Sequence, residues 1–421
     1  MLRNKSEFTK NILTLMTGTA IAQAIPIAIS PILTRIYAPE DFGVFALFVA
    51  IISILGNIAN AKYELAIMLP KKDEDAINIF ALGFIITCMI TFASLILVIV
   101  FNEYFTNFLG NEAIRIWLYF VPIALFFTGM FNILNYFNNR RKNYKDLRNA
   151  IILKSIVLSI VQIIVGFVKS GASGLISGQI LSNMFANMKL ARNILKDKIL
   201  VSKIRKEKII ALAKRYKNFP KYNLPSSFAD TFSQQLPFFF ITKFFSLSIN
   251  GYFSFAQKII SLPSSFIAKS ISQVFFQKIS ENRNRRIRNL YILKKTIIKL
   301  FIIILPISTI LFLFAPTIFT VAFGKEWIKA GEIAKYLSIS LIIIFISSTL
   351  SVTLVVYEKL KILAIWQYFY LLSIIVLFLI CYYFKFIFED FLLLLIILES
   401  ILYSIYLYLI YYTIKKEDEK L

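Results

Sequence analysis

The stretch "SFADTFSQQLPFFF", residues 227–240, sets Asp230, Gln234, Gln235 and Pro237 among phenylalanines. An Asp at the centre of a membrane helix costs about 2.5–3.5 kcal/mol on insertion scales, so it must face a partner or water. Lys258 and Lys269 follow in the next apolar run, eleven residues apart and therefore on one helical face. A lysine turned into a polar cavity without an acidic partner is a natural anion contact. Asp230 is expected in the same half of the bilayer as Lys269, which makes the two neighbours and a potential ion pair. Acid–base, metal and covalent chemistry find little to work with. The chain has no histidine, and its two cysteines, Cys88 and Cys381, fall within apolar runs. It shows no phosphate loop, nucleophile elbow, HExxH motif or cofactor signature. An enzyme is not expected.

The elements that must position these groups are membrane helices. The 421 residues are 58% hydrophobic and 16% aromatic, a composition no water-soluble domain of this length tolerates. Runs of about 18 to 25 apolar residues recur from end to end and predict about twelve spans, an all-α polytopic membrane protein. The first run contains "AIAQA", a peptidase-like site, but its apolar character continues to Ile36, which predicts an uncleaved first helix. Most of the 47 Lys and Arg fall on alternate connections, such as "NNRRKNYKDLR" and "ENRNRRIRNLYILKK". That asymmetry predicts cytoplasmic termini and accounts for the net charge of +24 without nucleic acid. Lys154 is expected to snorkel from the first turn of a span at 150–168.

The chain also repeats. "AQAIP" at 22–26 and "SQQLP" at 233–237 each supply Gln-x-x-Pro, and each precedes a glycine that opens the next span, Gly43 and Gly251. Two parallel six-helix lobes follow, residues 1–191 and 223–421, joined by a basic amphipathic segment, 192–222, expected on the inner membrane surface. Polar stripes mark the seam between them. Thr19, Gln23, Ser30 and Thr34 share a face of the first span, and Ser53, Asn57, Asn60 and Glu64 a face of the second. With Asp230, Gln234, Lys258 and Lys269 they predict a central, water-accessible cavity. Glu64 and Asp230 are candidates for coupling to H+ or Na+, although Glu64 and Lys62 also read as solvated residues at a span end. Asn132, Gln179, Asn183 and Asn187 read as bonds between neighbouring helices.

Four stretches, "SPILTRIYAPEDFGVFALF", "KYELAIMLPKKDEDAINI", "FADTFSQQLP" and "NGYFSFAQKIISLPSSFIAKSISQVFFQ", resemble the Wzx-type flippases for lipid-linked O-antigen or capsule units. These belong to the polysaccharide transport family of the multidrug/oligosaccharidyl-lipid/polysaccharide (MOP) exporter superfamily. The resemblance implies a MATE-like fold in the bacterial inner membrane. It further implies alternating-access transport of undecaprenyl-diphosphate-linked oligosaccharide, alongside polysaccharide polymerase and chain-length machinery. Under it, Gln23, Asn57, Asn60, Gln234 and Gln235 would meet sugar, and Lys258 and Lys269 the diphosphate. Arg35 would attract the diphosphate outward, or pair with Glu40 or Asp41. A multidrug exporter of the same superfamily is the alternative, and it would favour an acidic cavity.

Overall fold

The computed structural model describes residues 2–420, with the backbone alone described for residues 2–13, 15, 16 and 262. Its long helices are α1 (Leu2–Ile36), α2 (Pro39–Ile58), α3 (Asp73–Leu109), α4 (Val121–Arg140), α5 (Tyr144–Val168) and α6 (Ser173–Lys196). They continue as α7 (Leu224–Phe244), α8 (Leu247–Asn284), α9 (Leu290–Phe323), α10 (Ile328–Leu350), α11 (Leu360–Tyr383) and α12 (Phe388–Asp418). No strand occurs among the described residues.

Among those residues, nine helices are long and apolar enough to cross a membrane. A tenth candidate is α4 taken with the preceding segment Glu112–Leu118, from which it bends by 55°. The helices that fall short are α6 and α7. Both have the length, but Gln179, Asn183 and Asn187 in α6 and Asp230, Gln234 and Gln235 in α7 dilute their apolar character. The chain is a multi-pass membrane protein.

Contacts divide it into two compact units, Met1–Gly251 and Tyr252–Leu421. The first unit buries two apolar clusters. One holds Leu47, Phe48, Leu125 and Ile176, and the other Ile77, Ile133, Leu190 and Leu212. Ile176 and Ile180 of α6 belong to one cluster and Leu190 and Ile194 to the other. Ser182, Asn183 and Asn187 lie between, so a polar layer separates the two cores. The basic segment after α6 docks on this unit. Its helix Lys206–Arg215 turns Leu212 and Ile209 into the second cluster, and Lys208 pairs with Glu74 at 2.7 Å. Asn78 completes the dock, donating to the Lys203 carbonyl at 3.0 Å and accepting from the Arg205 amide at 2.8 Å. Of the apolar stripe expected to meet the membrane surface, Leu200, Ile209 and Leu212 pack on protein, while Ile199 and Ile204 stay exposed.

Although the repeat assigns α7 to the second half, it is bound to α2 in the first unit through Asn57, whose amide reaches Ser227 and Thr231. At the far end of α2, Gly43 and Gly251, equivalent under the repeat, lie against each other's segments. A methyl group at Gly251 would fall 1.8 Å from the Pro39 carbonyl oxygen, and one at Gly43 2.1 Å from that of Leu247. Only glycine permits this approach. Asn250 donates to the Gly43 carbonyl at 3.3 Å, and the Ser248 hydroxyl donates to Glu40.

The second unit is built on aromatic and hydroxyl contacts. Trp327 is fully buried beside Phe255, with ring centroids 4.6 Å apart. Ser308 and Ser347 donate to the carbonyls of Ser338 and Tyr403, tying α9 to α10 and α10 to α12. Asp418 accepts the backbone N–H groups of Asn289 and Leu290, which caps the start of α9 with a carboxylate.

Candidate functional site

The polar layer of the first unit opens into a cavity of about 450 Å³. Five helices contribute to its wall. Asn57 comes from α2, Asn132 and Phe131 from α4, Lys154 from α5, Gln179 and Asn183 from α6, and Thr231 from α7. Lys62, from the connection after α2, completes the lining.

Two ammonium groups give the cavity its character. The Lys154 Nζ lies 4.8 Å from the centroid of the Phe131 ring, a cation–π contact, and no carboxylate pairs with it among the described residues. The sequence placed Lys154 in the first turn of its span, where it would snorkel outward. The helix starts earlier, at Tyr144, because the polar stretch "YKDLRN" is already helical. Ten residues at ~1.5 Å each carry Lys154 about 15 Å along the axis, which brings it to the cavity wall.

Lys62 owes its position to the backbone. Ala61 and Lys62 take φ of 48° and 63°, consecutive left-handed residues without a glycine. Such conformations cost of order 1–3 kcal/mol each and persist where surrounding structure holds them. Here they reverse the chain after α2 and return the lysine to the cavity. Its Nζ is 4.0 Å from Glu64 Oε1, at the limit of an ion pair. Glu64 is only 5% exposed, and its other oxygen, Oε2, accepts no hydrogen bond among the described residues. Burial holds the Glu64 carboxyl above the ordinary carboxylate range, against the opposing pull of its own backbone N–H and, after it, of Lys62. Burial likewise holds the Lys62 ammonium below its usual range.

The expected site residues separate into groups. Asn57 is at the wall, and Glu64 stands behind Lys62. Asn60 is buried instead, donating to Thr87 Oγ1 at 2.7 Å and to the Gly129 carbonyl at 3.1 Å, a link from the turn after α2 to α3 and α4. Gln23 on α1 is half-buried, with its carbonyl oxygen unbonded among the described residues. Arg35 is exposed and donates to the Pro31 carbonyl of its own helix at 2.6 Å, so neither Glu40 nor Asp41 holds it. On α7, Asp230 and Gln235 are half-buried and Gln234 exposed, with the Ser233 hydroxyl donating to the Asp230 carbonyl at 2.8 Å. Lys258 and Lys269 belong to the second unit, where Lys258 is half-buried and Lys269 exposed.

Asn132, Gln179 and Asn183, expected to bond neighbouring helices, also face the cavity. Asn132 and Asn187 do make interhelical bonds, Asn132 to the Gly56 carbonyl of α2 at 3.4 Å and Asn187 to the Phe127 carbonyl of α4 at 2.8 Å. Sequence reasoning missed Lys62 and Lys154 as wall residues. The spacing of Gln179 and Asn183, one turn apart on α6, was the available signal for a polar wall.

Residues 32–332 match the family model described as "Polysaccharide biosynthesis protein". A curated relative, the succinoglycan biosynthesis transport protein ExoT of Rhizobium meliloti (strain 1021), is 24% identical over 325 residues, which are 74% of this chain. The match spans 61% of ExoT, about three-fifths of that relative's length. A multidrug resistance MATE family transporter of the MOP superfamily, in an inward-facing conformation, superposes with a TM-score of 0.75 at 15% identity, over 96% of each chain. The lipid II flippase MurJ, in an inward closed conformation, superposes with a TM-score of 0.64 at 16% identity, over 94% of this chain and 98% of MurJ. The fold is that of the MOP transporters, and with most of its length inside the family match the chain belongs to the polysaccharide biosynthesis protein family.

Proposed function

We propose that this protein moves an undecaprenyl-diphosphate-linked oligosaccharide across the bacterial cytoplasmic membrane, from the inner to the outer leaflet, for a surface polysaccharide such as O-antigen. The observation that carries this reading is the cavity of the first unit, where two ammonium groups stand among amides. Lys62 and Lys154 receive the diphosphate as point charges, while Asn57, Asn132 and Gln179 meet sugar hydroxyls. Family membership, the transport role in the name of ExoT and the lipid II substrate in the name of MurJ support it.

In this reading both termini face the cytoplasm, and the polyprenyl tail stays in lipid throughout. Lys258 and Lys269 take the diphosphate at a later stage, and Asp230 carries a coupling H+ or Na+. A multidrug exporter is the alternative within the same fold. Its cationic substrates would meet two like charges here, and like charges without partners are costly at membrane depth.

The test is Lys62→Ala with Lys154→Ala in the native host. Loss of surface polysaccharide, with lipid-linked intermediate accumulating and normal protein levels, is expected. Wild-type polysaccharide from the double variant would overturn the assignment of this cavity.

A further inference from the structure

We infer that the basic start of α9, with the turn that leads into it, binds the headgroups of anionic phospholipid. This surface lies in the second unit and is independent of the diphosphate reading.

The length of α9 sets its depth. Its 34 residues rise about 50 Å, whereas hydrocarbon spans about 30 Å. The exposed aliphatic side chains run from Ile298 through Ile302 to Val321, a rise of about 35 Å that accounts for the hydrocarbon. Lys294, Lys295 and Lys299, all exposed, therefore stand at the headgroups or reach them by snorkelling. Tyr291, Lys295 and Lys299 follow at four-residue steps on one face, and Ile298 and Ile302 carry that face on into lipid. The Lys295 ammonium lies 5.8 Å from the centroid of the Tyr291 ring. An acyl chain along Ile298 and Ile302 brings its phosphate to these lysines.

Charge selects the lipid. Residues 282–299 carry seven Lys and Arg and no acidic residue. Arg283 answers Glu358 at 3.0 Å, and Arg285 answers Glu281 at 2.8 Å. Arg286, Arg288 and the three lysines pair with no carboxylate among the described residues. The end of α9 is not itself free for an anion, because Asp418 occupies the N–H groups of Asn289 and Leu290. Each cation at the surface favours an anionic headgroup by about fivefold.

The turn is fixed rather than slack. Buried Asn282 and Asn289 bond each other at 3.1 Å, and Asn289 donates to the Tyr357 hydroxyl at 2.9 Å. On that base Arg286 takes a φ of 56°, a conformation past a helix end that glycine adopts without strain. From Lys294 back to the start of α9 is about 6 Å, inside the Debye length of about 8 Å. Both arginines therefore add to the attraction of the lysines.

The experiment compares the full chain in nanodiscs of phosphatidylcholine with and without phosphatidylglycerol, reading hydrogen exchange of residues 285–295 by mass spectrometry. Phosphatidylglycerol should slow exchange by about tenfold, and high salt should remove the effect. Lys295→Gln with Lys299→Gln should lose most of the slowing. Arg286→Gly should lose a smaller share, yet raise the thermal-unfolding midpoint in neutral nanodiscs by relieving the left-handed arginine. If it gains that stability and keeps the full response to lipid, the turn has no part in the surface. Equal exchange in both lipids, or a lysine variant with wild-type slowing, would overturn the surface altogether. Polyglutamate that protects the segment where phosphatidylglycerol does not would give it to a protein partner. Farnesyl diphosphate that protects it equally in neutral nanodiscs would give it to substrate, and either result overturns the phospholipid assignment. Lys62 and Lys154 are untouched by these variants, so the transport reading is tested separately.

Discussion

Lys154 in the first unit and Glu399 in the second are both charged residues set well inside long apolar helices, and their surroundings differ. The Lys154 ammonium has an aromatic face on one side and open space on the other. Glu399 on α12 is met at both oxygens, by the Ser340 hydroxyl of α10 at 3.3 Å and the Tyr370 hydroxyl of α11 at 3.4 Å. Nearby, Trp366 stacks on Tyr406 with centroids 4.2 Å apart and donates to the Leu402 carbonyl. One group is left with unused bonding capacity beside a cavity; the other fastens three helices together. An ionisable residue at membrane depth is therefore weak grounds for a site until its partners are counted.

Substitutions can break that contrast. Removing both cavity ammonium groups, Lys62→Ala with Lys154→Ala, should have the largest effect. Charge-assisted bonds worth about 1.5–3 kcal/mol correspond to roughly ten- to a hundredfold less transport, read from the ratio of polymer to lipid-linked intermediate. Asp230→Asn comes next. Transport should fall by about tenfold or more with membrane potential intact if Asp230 carries the coupling charge; full activity would remove it from that role.

Glu399 should behave oppositely. Glu399→Ala removes the acceptor shared by Ser340 and Tyr370 and should lower stability by about 1–3 kcal/mol in a thermal-unfolding assay, with transport per folded molecule unchanged. Abolished transport in Glu399→Gln at wild-type stability would erase the distinction. The smallest effect is expected for Arg35→Ala. Its guanidinium is exposed and bonded within its own helix, so transport should stay within about twofold.

Hydropathy and polar stripes made the fold legible, because each helix must satisfy its own backbone in lipid. Of the twelve runs read as spans, α6 and α7 do form helices, but their polar faces leave them short of the apolar character of the others. Positions within the site were harder to read. Asn57 and Asn60 share a stripe in projection, yet α2 ends at Ile58, and Asn60 turns away to Thr87. Lys62 is aimed by two left-handed residues, an alanine and a lysine, neither of which announces that conformation. For Lys154 the error lay in where the helix begins, since a polar first turn leaves no hydropathy signal.

Where Gly43 and Gly251 cross, main chain presses on main chain, and the buried Leu247 and Asn250 side chains seal the edges of the contact. A single methyl group at either position would wedge the two segments apart, so this seam is the place where the smallest possible substitution does the most harm to the fit.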